Sequence, residues 1–271
     1  MHIVYVISGA GQAFHNGSRL RDSSLVNGLR AAGHAVTVVP LFSTIDGEEG
    51  CSNGAGPLFF DAKRLFLEEA WPIVRHFPDR ILDIFCRAMP RSIAAKRVDP
   101  ACAGKGEKLT LAMLGGEAGS QAREFARTAS WILRNCDPDA LFISSLFLLG
   151  IGASIQARSA IPVFCFVQDE DLLIDGMDQR YREKVRNAIA GQCDKVARFF
   201  SADRGNVDRI APVLRMNPER CATVQFGVGP ANCRMAEEVL AVMDSCFSED
   251  EQLTDTETEI LKMELAAPFT A

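Results

Sequence analysis

The stretch MHIVYVISGAGQAFHNGSRLRDSSLVNGLRAAGHAVTVVPLF (residues 1–42) decides the fold, because it contains a complete βαβ pattern. Residues 2–7 are a continuous apolar and β-branched run, which is typical of a strand buried on both faces of a parallel sheet. Apolar residues recur every three or four positions from Arg19 onward, and this predicts an amphipathic helix that ends at Gly33. Residues 34–42 then predict a second buried strand, joined by a right-handed crossover.

The alternation of apolar runs and amphipathic segments continues to about residue 229. Further strands are predicted at 109–116, 138–145, 161–171, 195–202 and 221–229. An amphipathic helix is predicted at 121–135, a largely buried helix at 146–160, and further helices at 180–192 and 204–214. This order predicts an α/β fold, a single Rossmann-like domain over residues 1–229 with a mostly parallel sheet flanked by helices.

Two other segments have patterns of their own. Residues 57–89 are apolar with helical periodicity, and Pro72 and Pro78 divide them into short predicted helices. Residues 230–271 are predicted to form a C-terminal helix, at 231–247, that packs back on the domain and is followed by an acidic tail. That packing requires several apolar side chains to be buried together, namely Met235, Val239, Leu240, Val242 and Met243.

Composition and charge narrow the class of protein. A net charge of −6 and a pI near 5.3 argue against a nucleic-acid-binding protein, which normally carries a basic face. The sequence has neither an export signal nor an apolar run long enough to span a bilayer, so we expect a cytoplasmic protein. Nine scattered cysteines without a CxxC motif indicate reduced thiols, and no metal site is expected.

The loop after the first strand is the first candidate site. Gly9 and Gly11 would allow backbone N–H groups to approach a phosphate near the start of a helix. The spacing does not match the dinucleotide motif GxGxxG, because residue 14 is Phe, so a simple strand-to-helix turn stays as the alternative. His15 lies in the same loop, where it would donate a hydrogen bond to a ligand or be incidental.

The second candidate is QDED, residues 168–171, at the carboxyl end of a predicted buried strand. Ligands of open α/β sheets bind beyond such strand ends, where acidic side chains can do acid–base work or bind hydroxyl groups. A solvated turn that caps the next helix is the alternative. Ser201 ends another predicted strand, where it would face the same edge or cap the following helix.

A basic segment is the third candidate. It would contact an anionic membrane surface or a phosphate-bearing acceptor, and a solvated loop is the alternative. Its basic residues are Arg87, Arg91, Lys96 and Arg97.

Four segments, in this order, are similar to the N-terminal half of the retaining glycosyltransferases of family 4. They are GSRLRDSSLVNGLRAAGHAVTVVPLF, PDALFISS, IPVFCFVQDEDLLIDGMDQRYREKV and DKVARFFSADRGNVDRIAPVLRMNPERCATVQFGV. The resemblance covers about residues 1–229 and depends on the ordered set rather than on one motif. It implies half of a GT-B fold, in which two Rossmann-like domains face each other across a cleft, the first mainly binding the acceptor and the second the nucleotide sugar.

The resemblance also implies roles for individual residues. Gly9 and Gly11 would lie near the donor phosphates, and Gln168, Asp169 and Asp171 would be catalytic. Gln168 stands where many relatives have a histidine beside the transferred sugar, although glutamine can neither become a cation nor shuttle a proton. Residues expected on the acceptor side are His15, Asn16, Glu170 and Ser201.

Three functions follow as hypotheses. The first is an acceptor-binding glycosyltransferase domain that uses a nucleotide sugar as donor substrate, without another cofactor, together with a donor-binding domain from another chain. Its acceptor would be a carbohydrate or a lipid-linked carbohydrate, with the inner membrane surface as an additional location. The second is a non-catalytic module that binds an acceptor or a nucleotide. The third, a single-domain Rossmann oxidoreductase, is disfavoured by the unmatched GxGxxG motif.

Overall fold

Six parallel strands form one sheet in the order β2-β1-β3-β4-β5-β6. The computed structural model describes residues 1–7, 16–41, 77, 106–225 and 234–248. The strands are β1 (His2–Ile7), β2 (Ala35–Pro40), β3 (Ala140–Ile143), β4 (Val163–Phe166), β5 (Arg198–Ser201) and β6 (Cys221–Thr223). Helices flank this sheet, which confirms the predicted Rossmann-like α/β fold.

The helices between the strands largely follow the predicted order. They are α1 (Asn16–Ala31), α2 (Gly106–Gly115), α3 (Ala122–Cys136), α4 (Leu149–Gln156), α5 (Glu170–Asp175), α6 (Gln179–Cys193), α7 (Arg204–Leu214) and α8 (residues 234–248). Gly33 has a φ of +89°, a conformation that glycine adopts without steric cost, and this is why the chain can turn sharply from α1 into β2.

The prediction of a strand at 109–116 is wrong, because these residues lie in α2 and the short turn that follows it. The Leu, Ala and Met residues of this run are strong helix formers, and a short apolar run does not by itself distinguish a buried helix from a buried strand. Tertiary contacts hold the helix in place. Glu107 Oε1 accepts a hydrogen bond from the backbone N–H of Asp178 at 2.5 Å, and the Gln192 side chain donates to the carbonyl of Leu114.

Alternate residues of the strands build two separate cores. On one face an aromatic row runs across the sheet under α1 and α8, with Tyr5 stacked on Phe142 at a centroid distance of 5.2 Å and Phe142 on Phe200 at 5.4 Å. On the other face aliphatic residues such as Val4 and Ile143 pack against α2, α3, α4, α6 and α7. The sheet is therefore covered on both faces, as the continuous apolar strands require.

Helix α8 packs on the aromatic face of the sheet. Met235, Val239 and Met243 are buried in that core, and Leu240 and Val242 are half-buried against it. These are the five apolar side chains whose joint burial the amphipathic pattern requires. The acidic tail beyond residue 248 and the helices predicted at 57–89, apart from the exposed Phe77, lie outside the described residues.

None of the helices in the described ranges combines the length and the apolar character needed to cross a membrane.

Close backbone packing explains a glycine in α4. A Cβ atom on Gly150 would lie 2.0 Å from the carbonyl oxygen of Met113 in α2. We therefore expect Gly150→Ala to lower the free energy of unfolding by about 1–3 kcal/mol, because backbone atoms must move apart. Gly191→Ala is the matched control, since its Cβ meets nothing within 4 Å, and it should raise stability by about 0.5–1 kcal/mol. Urea unfolding followed by circular dichroism measures both, and equal effects of the two substitutions would contradict the packing.

Candidate functional site

The candidate site lies at the carboxyl ends of β1, β3 and β4. From β1 the chain passes through α1 to β2 on one side, whereas β3 pairs with β1 on its other side. Open α/β sheets bind ligands at such a switch point, because the connections diverge there and leave a crevice. The polar side chains at this edge are therefore candidates for ligand binding.

A buried polar network joins α1 to β1 and to the end of β3. Asp22 of α1 accepts hydrogen bonds from the Tyr5 hydroxyl of β1 at 2.9 Å and from the Ser144 hydroxyl, just after β3, at 2.6 Å. Burial first, and the Asp22 carboxylate second, raise the pKa of Tyr5 well above its usual value. Tyr5 therefore keeps its proton at neutral pH and acts as a donor in this network.

Arg21 completes the network. Its guanidinium lies 2.7 Å from the Asp22 carboxylate, donates to Ser144 Oγ at 2.9 Å and stands 4.2 Å over the ring of Phe166. Burial is the largest single effect and lowers the pKa of Arg21, but the charge and hydrogen bond of Asp22, together with the other nearby groups, outweigh it and raise the pKa. Only 3% of Arg21 is exposed, yet its Nη1 has no hydrogen-bond partner among the residues described by the structure.

Glu170, at the start of α5, ties two strand ends together. Its Oε1 accepts from the backbone N–H of Leu146 after β3 at 3.2 Å, and its Oε2 accepts from that of Gln168 after β4 at 2.6 Å. The residue is 5% exposed, and this burial raises the pKa of its carboxyl group, although the two N–H donors and the charge of Arg21 act in the opposite direction. Glu170, expected on the acceptor side, thus lies next to the network.

The two other acids of QDED face α7 instead. Asp169 is exposed and Asp171 is buried, and both form ion pairs with Arg209, at 2.9 and 2.6 Å. Arg209 also donates to the side-chain oxygen of Asn206 at 2.8 Å. These ion pairs connect the start of α5 to α7, so the structure separates Asp169 and Asp171 from Glu170 and from the network beside it. Their catalytic roles stay predictions.

Ser201 is buried at the end of β5, and its hydroxyl bonds to residues at the start of α7. Its hydroxyl donates to the carbonyl of Asp203 at 3.2 Å and accepts from the side-chain amide of Asn206 at 3.2 Å. Asp203, not Ser201, caps α7, because its carboxylate accepts from the backbone N–H of Gly205 at 3.1 Å. An apolar pocket beside Ser201 has a volume of about 10 Å³, which holds about one water molecule and no substrate.

Several predicted site residues are not described in side-chain detail. Asn16 is the first residue of α1, and its backbone alone is described. Predictions for the others stay predictions, because these residues lie outside the described ranges: Gly9, Gly11, His15, Arg87, Arg91, Lys96 and Arg97. Within the described ranges, no group of three or more His, Cys, Asp or Glu side chains is arranged to hold a metal ion.

Sequence reasoning missed the central pair of the network, although the sequence contained a signal for it. Leu25, Val26 and Leu29 form the buried stripe of α1, and the same stripe extended one turn toward the N-terminus falls on Arg21 and Asp22. A charged pair on the buried face of a helix needs internal partners. That requirement would have singled out both residues.

The fold and the site define a class of protein, namely a Rossmann-like α/β domain with a buried polar network at the switch point of its sheet. Comparison with models of known protein families and a search of curated proteins both find no match to this chain.

Ser144 allows a direct test of the network. In Ser144→Ala, Arg21 and Asp22 each lose a buried partner, so we expect the free energy of unfolding to fall by about 1–3 kcal/mol. Ser159→Ala is the control, because that half-buried hydroxyl donates to the carbonyl of Ile155 in the preceding helix α4, and it should change stability by less than about 0.5 kcal/mol. Urea unfolding measures both variants, and a neutral Ser144→Ala would show that the network contributes little.

Glu170 predicts a pH dependence of stability. Because its pKa is raised above the usual 4.5, the folded state binds the proton more tightly than the unfolded state. This contribution to stability is complete below the unfolded pKa and is lost as pH rises through the raised folded value. Glu170→Gln does not titrate, so the stability of the native chain minus that of the variant should decrease as pH rises from 4.5. Parallel stability curves across this window would contradict the raised pKa.

Proposed function

We propose that this chain is the acceptor-side domain of a glycosyltransferase similar to the retaining enzymes of family 4. The observation that supports the proposal is the buried polar network at the switch point. Arg21 and Asp22 of this network fall in the first segment of the resemblance and Ser144 in the second, and the neighbouring Glu170 falls in the third. In the proposed enzyme, the network would lie where the first domain meets its acceptor.

The chemistry of the network suits a hydroxyl-bearing ligand. A sugar hydroxyl both donates and accepts hydrogen bonds, so its site needs a donor and an acceptor side by side. Arg21 offers a buried N–H, and the Glu170 carboxylate has lone pairs beyond those used by the two backbone N–H groups. Low water access strengthens such hydrogen bonds and orients the ligand.

In the proposed reaction, a hydroxyl oxygen of the acceptor forms a bond to the anomeric carbon of the donor sugar. The bond from that carbon to the nucleoside diphosphate breaks, and the diphosphate takes the bonding electrons while the hydroxyl proton is released. Gln168 would orient the sugar by hydrogen bonding, since an amide does not carry the proton. A second, donor-binding domain would hold the nucleotide sugar. With a lipid-linked acceptor, the basic segment that begins at Arg87 would face an anionic membrane surface.

One observation favours a second candidate, a module that binds the acceptor without catalysis. Asp169 and Asp171 are both paired with Arg209, and Glu170 is held by two backbone N–H groups. Each of the three acids thus has a structural partner that competes with a role as base. Binding of an acceptor is common to both candidates, and it is the property to measure first.

The proposed function predicts carbohydrate binding at one edge of the sheet. NMR titration of the full chain with neutral methyl glycosides, and with UDP-, GDP- and ADP-sugars, should shift backbone resonances at the carboxyl edge, such as those of Ser144 and Gln168. Residues at the amino edge, such as Asp139 and Ala35, are internal controls and should not shift. Binding of NAD(P)H alone would favour an oxidoreductase, and no binding by any carbohydrate would overturn the proposal. Sugar transfer in the presence of a donor-binding chain would separate the enzyme from the binding module.

A further inference from the structure

We propose that Arg21 recognises an uncharged hydroxyl group of the acceptor, and that the same site rejects a phosphate or carboxylate group. This inference rests on the proposed function and adds the chemical class of the ligand and the residue that selects it. Its basis is the unpartnered Nη1 of Arg21 and the carboxylate of Asp22, which is already paired with the guanidinium.

Nη1 of Arg21 is a buried nitrogen without a partner among the described residues. A buried N–H without a partner is costly, and most buried polar groups in folded proteins are hydrogen-bonded. Only 3% of Arg21 is exposed, and its Nη1 meets no acceptor among the described residues. An oxygen atom from a ligand would satisfy this N–H, so the nitrogen marks a position where the ligand places an acceptor.

Several contacts fix the orientation of the Arg21 guanidinium. Its Nε and Nη2 both donate to Asp22 Oδ1, at 3.1 and 2.7 Å, and Nη2 also donates to Ser144 Oγ. The ring of Phe166 lies under the planar group. Because these contacts come from three elements, the plane of the guanidinium is held in place, and Nη1 offers its N–H groups in a defined direction. Such a preorganised donor selects ligands by geometry as well as by charge.

The charge around the Arg21 guanidinium disfavours an anionic ligand. The charge of Arg21 is neutralised by the Asp22 carboxylate at 2.7 Å, and Glu170 is a second acid within electrostatic range of the guanidinium. A phosphate would bring up to about two negative charges next to these acids and would lose its hydration. A neutral hydroxyl avoids both costs, because it accepts from Arg21 Nη1 without bringing a further negative charge next to Asp22.

The alternative is that Arg21 binds a phosphate, as many arginines do. Such sites usually have a net positive charge or several free N–H donors, whereas here two of the three guanidinium nitrogens are already used by Asp22 and Ser144. The observations therefore favour the hydroxyl group, and phosphate binding becomes an outcome of the test.

The test compares charged and uncharged probes on the full-length chain. NMR titrations that follow the guanidinium resonances of Arg21 use a panel of neutral methyl glycosides, glucose 6-phosphate and inorganic phosphate. We expect a neutral glycoside to shift the Arg21 resonance and to bind at least about tenfold more tightly than either phosphate probe. Tighter binding of a phosphate probe, with a shift of the Arg21 resonance, would overturn the proposal and leave the proposed site intact.

Variants separate this inference from the proposed function. Arg21→Lys keeps the charge but loses the planar fork, and it should weaken glycoside binding by about tenfold or more. Arg134→Lys, at an exposed position in the last turn of α3, is the matched control and should bind normally. Unchanged binding by Arg21→Lys would overturn the role of Arg21 alone. If no glycoside binds the native chain, the proposed function fails and the inference fails with it. If Arg21→Lys does not fold, the comparison of probes on the native chain decides.

Discussion

The whole structure depends on one constraint, that a parallel sheet must be covered on both faces. Each connection has to return across a face before the next strand begins, so all the carboxyl ends of the strands meet at one edge. Helices α1 and α8 cover the aromatic face, and α2, α3, α4, α6 and α7 cover the other. The position of the polar network is a consequence of this arrangement, because β2 and β3 lie on opposite sides of β1.

Buried polar groups at that edge are tolerated because they satisfy one another. Asp22 receives donors from Tyr5, Arg21 and Ser144, and Glu170 receives two backbone N–H groups from the ends of β3 and β4. A network of this kind is costly when partly satisfied and specifies a single arrangement when it is complete. Within this network, Arg21 Nη1 has no partner among the described residues, and the proposed role of Arg21 depends on that nitrogen.

Much of the fold was predictable from the local pattern, and the site was predictable only in part. The bounds of β1 and α7 agree with the sequence, whereas 109–116 is helical because packing against α6 decides a choice that an apolar run leaves open. Glu170 was placed at the correct edge by its position after a strand. The ion pairs of Asp169 and Asp171 with Arg209 were not foreseen, because Arg209 is about forty residues away in the chain.

The sequence by itself determined most of the strands and helices along the chain and the edge of the sheet where polar residues collect. These properties follow from the periodicity of neighbouring residues, which is local information. The tertiary structure alone decided which polar groups meet. Arg21 and Ser144 are 123 positions apart and lie 2.9 Å from each other only because β1 and β3 are neighbours in the sheet. A contact of that kind depends on strand order and burial, which no local pattern contains.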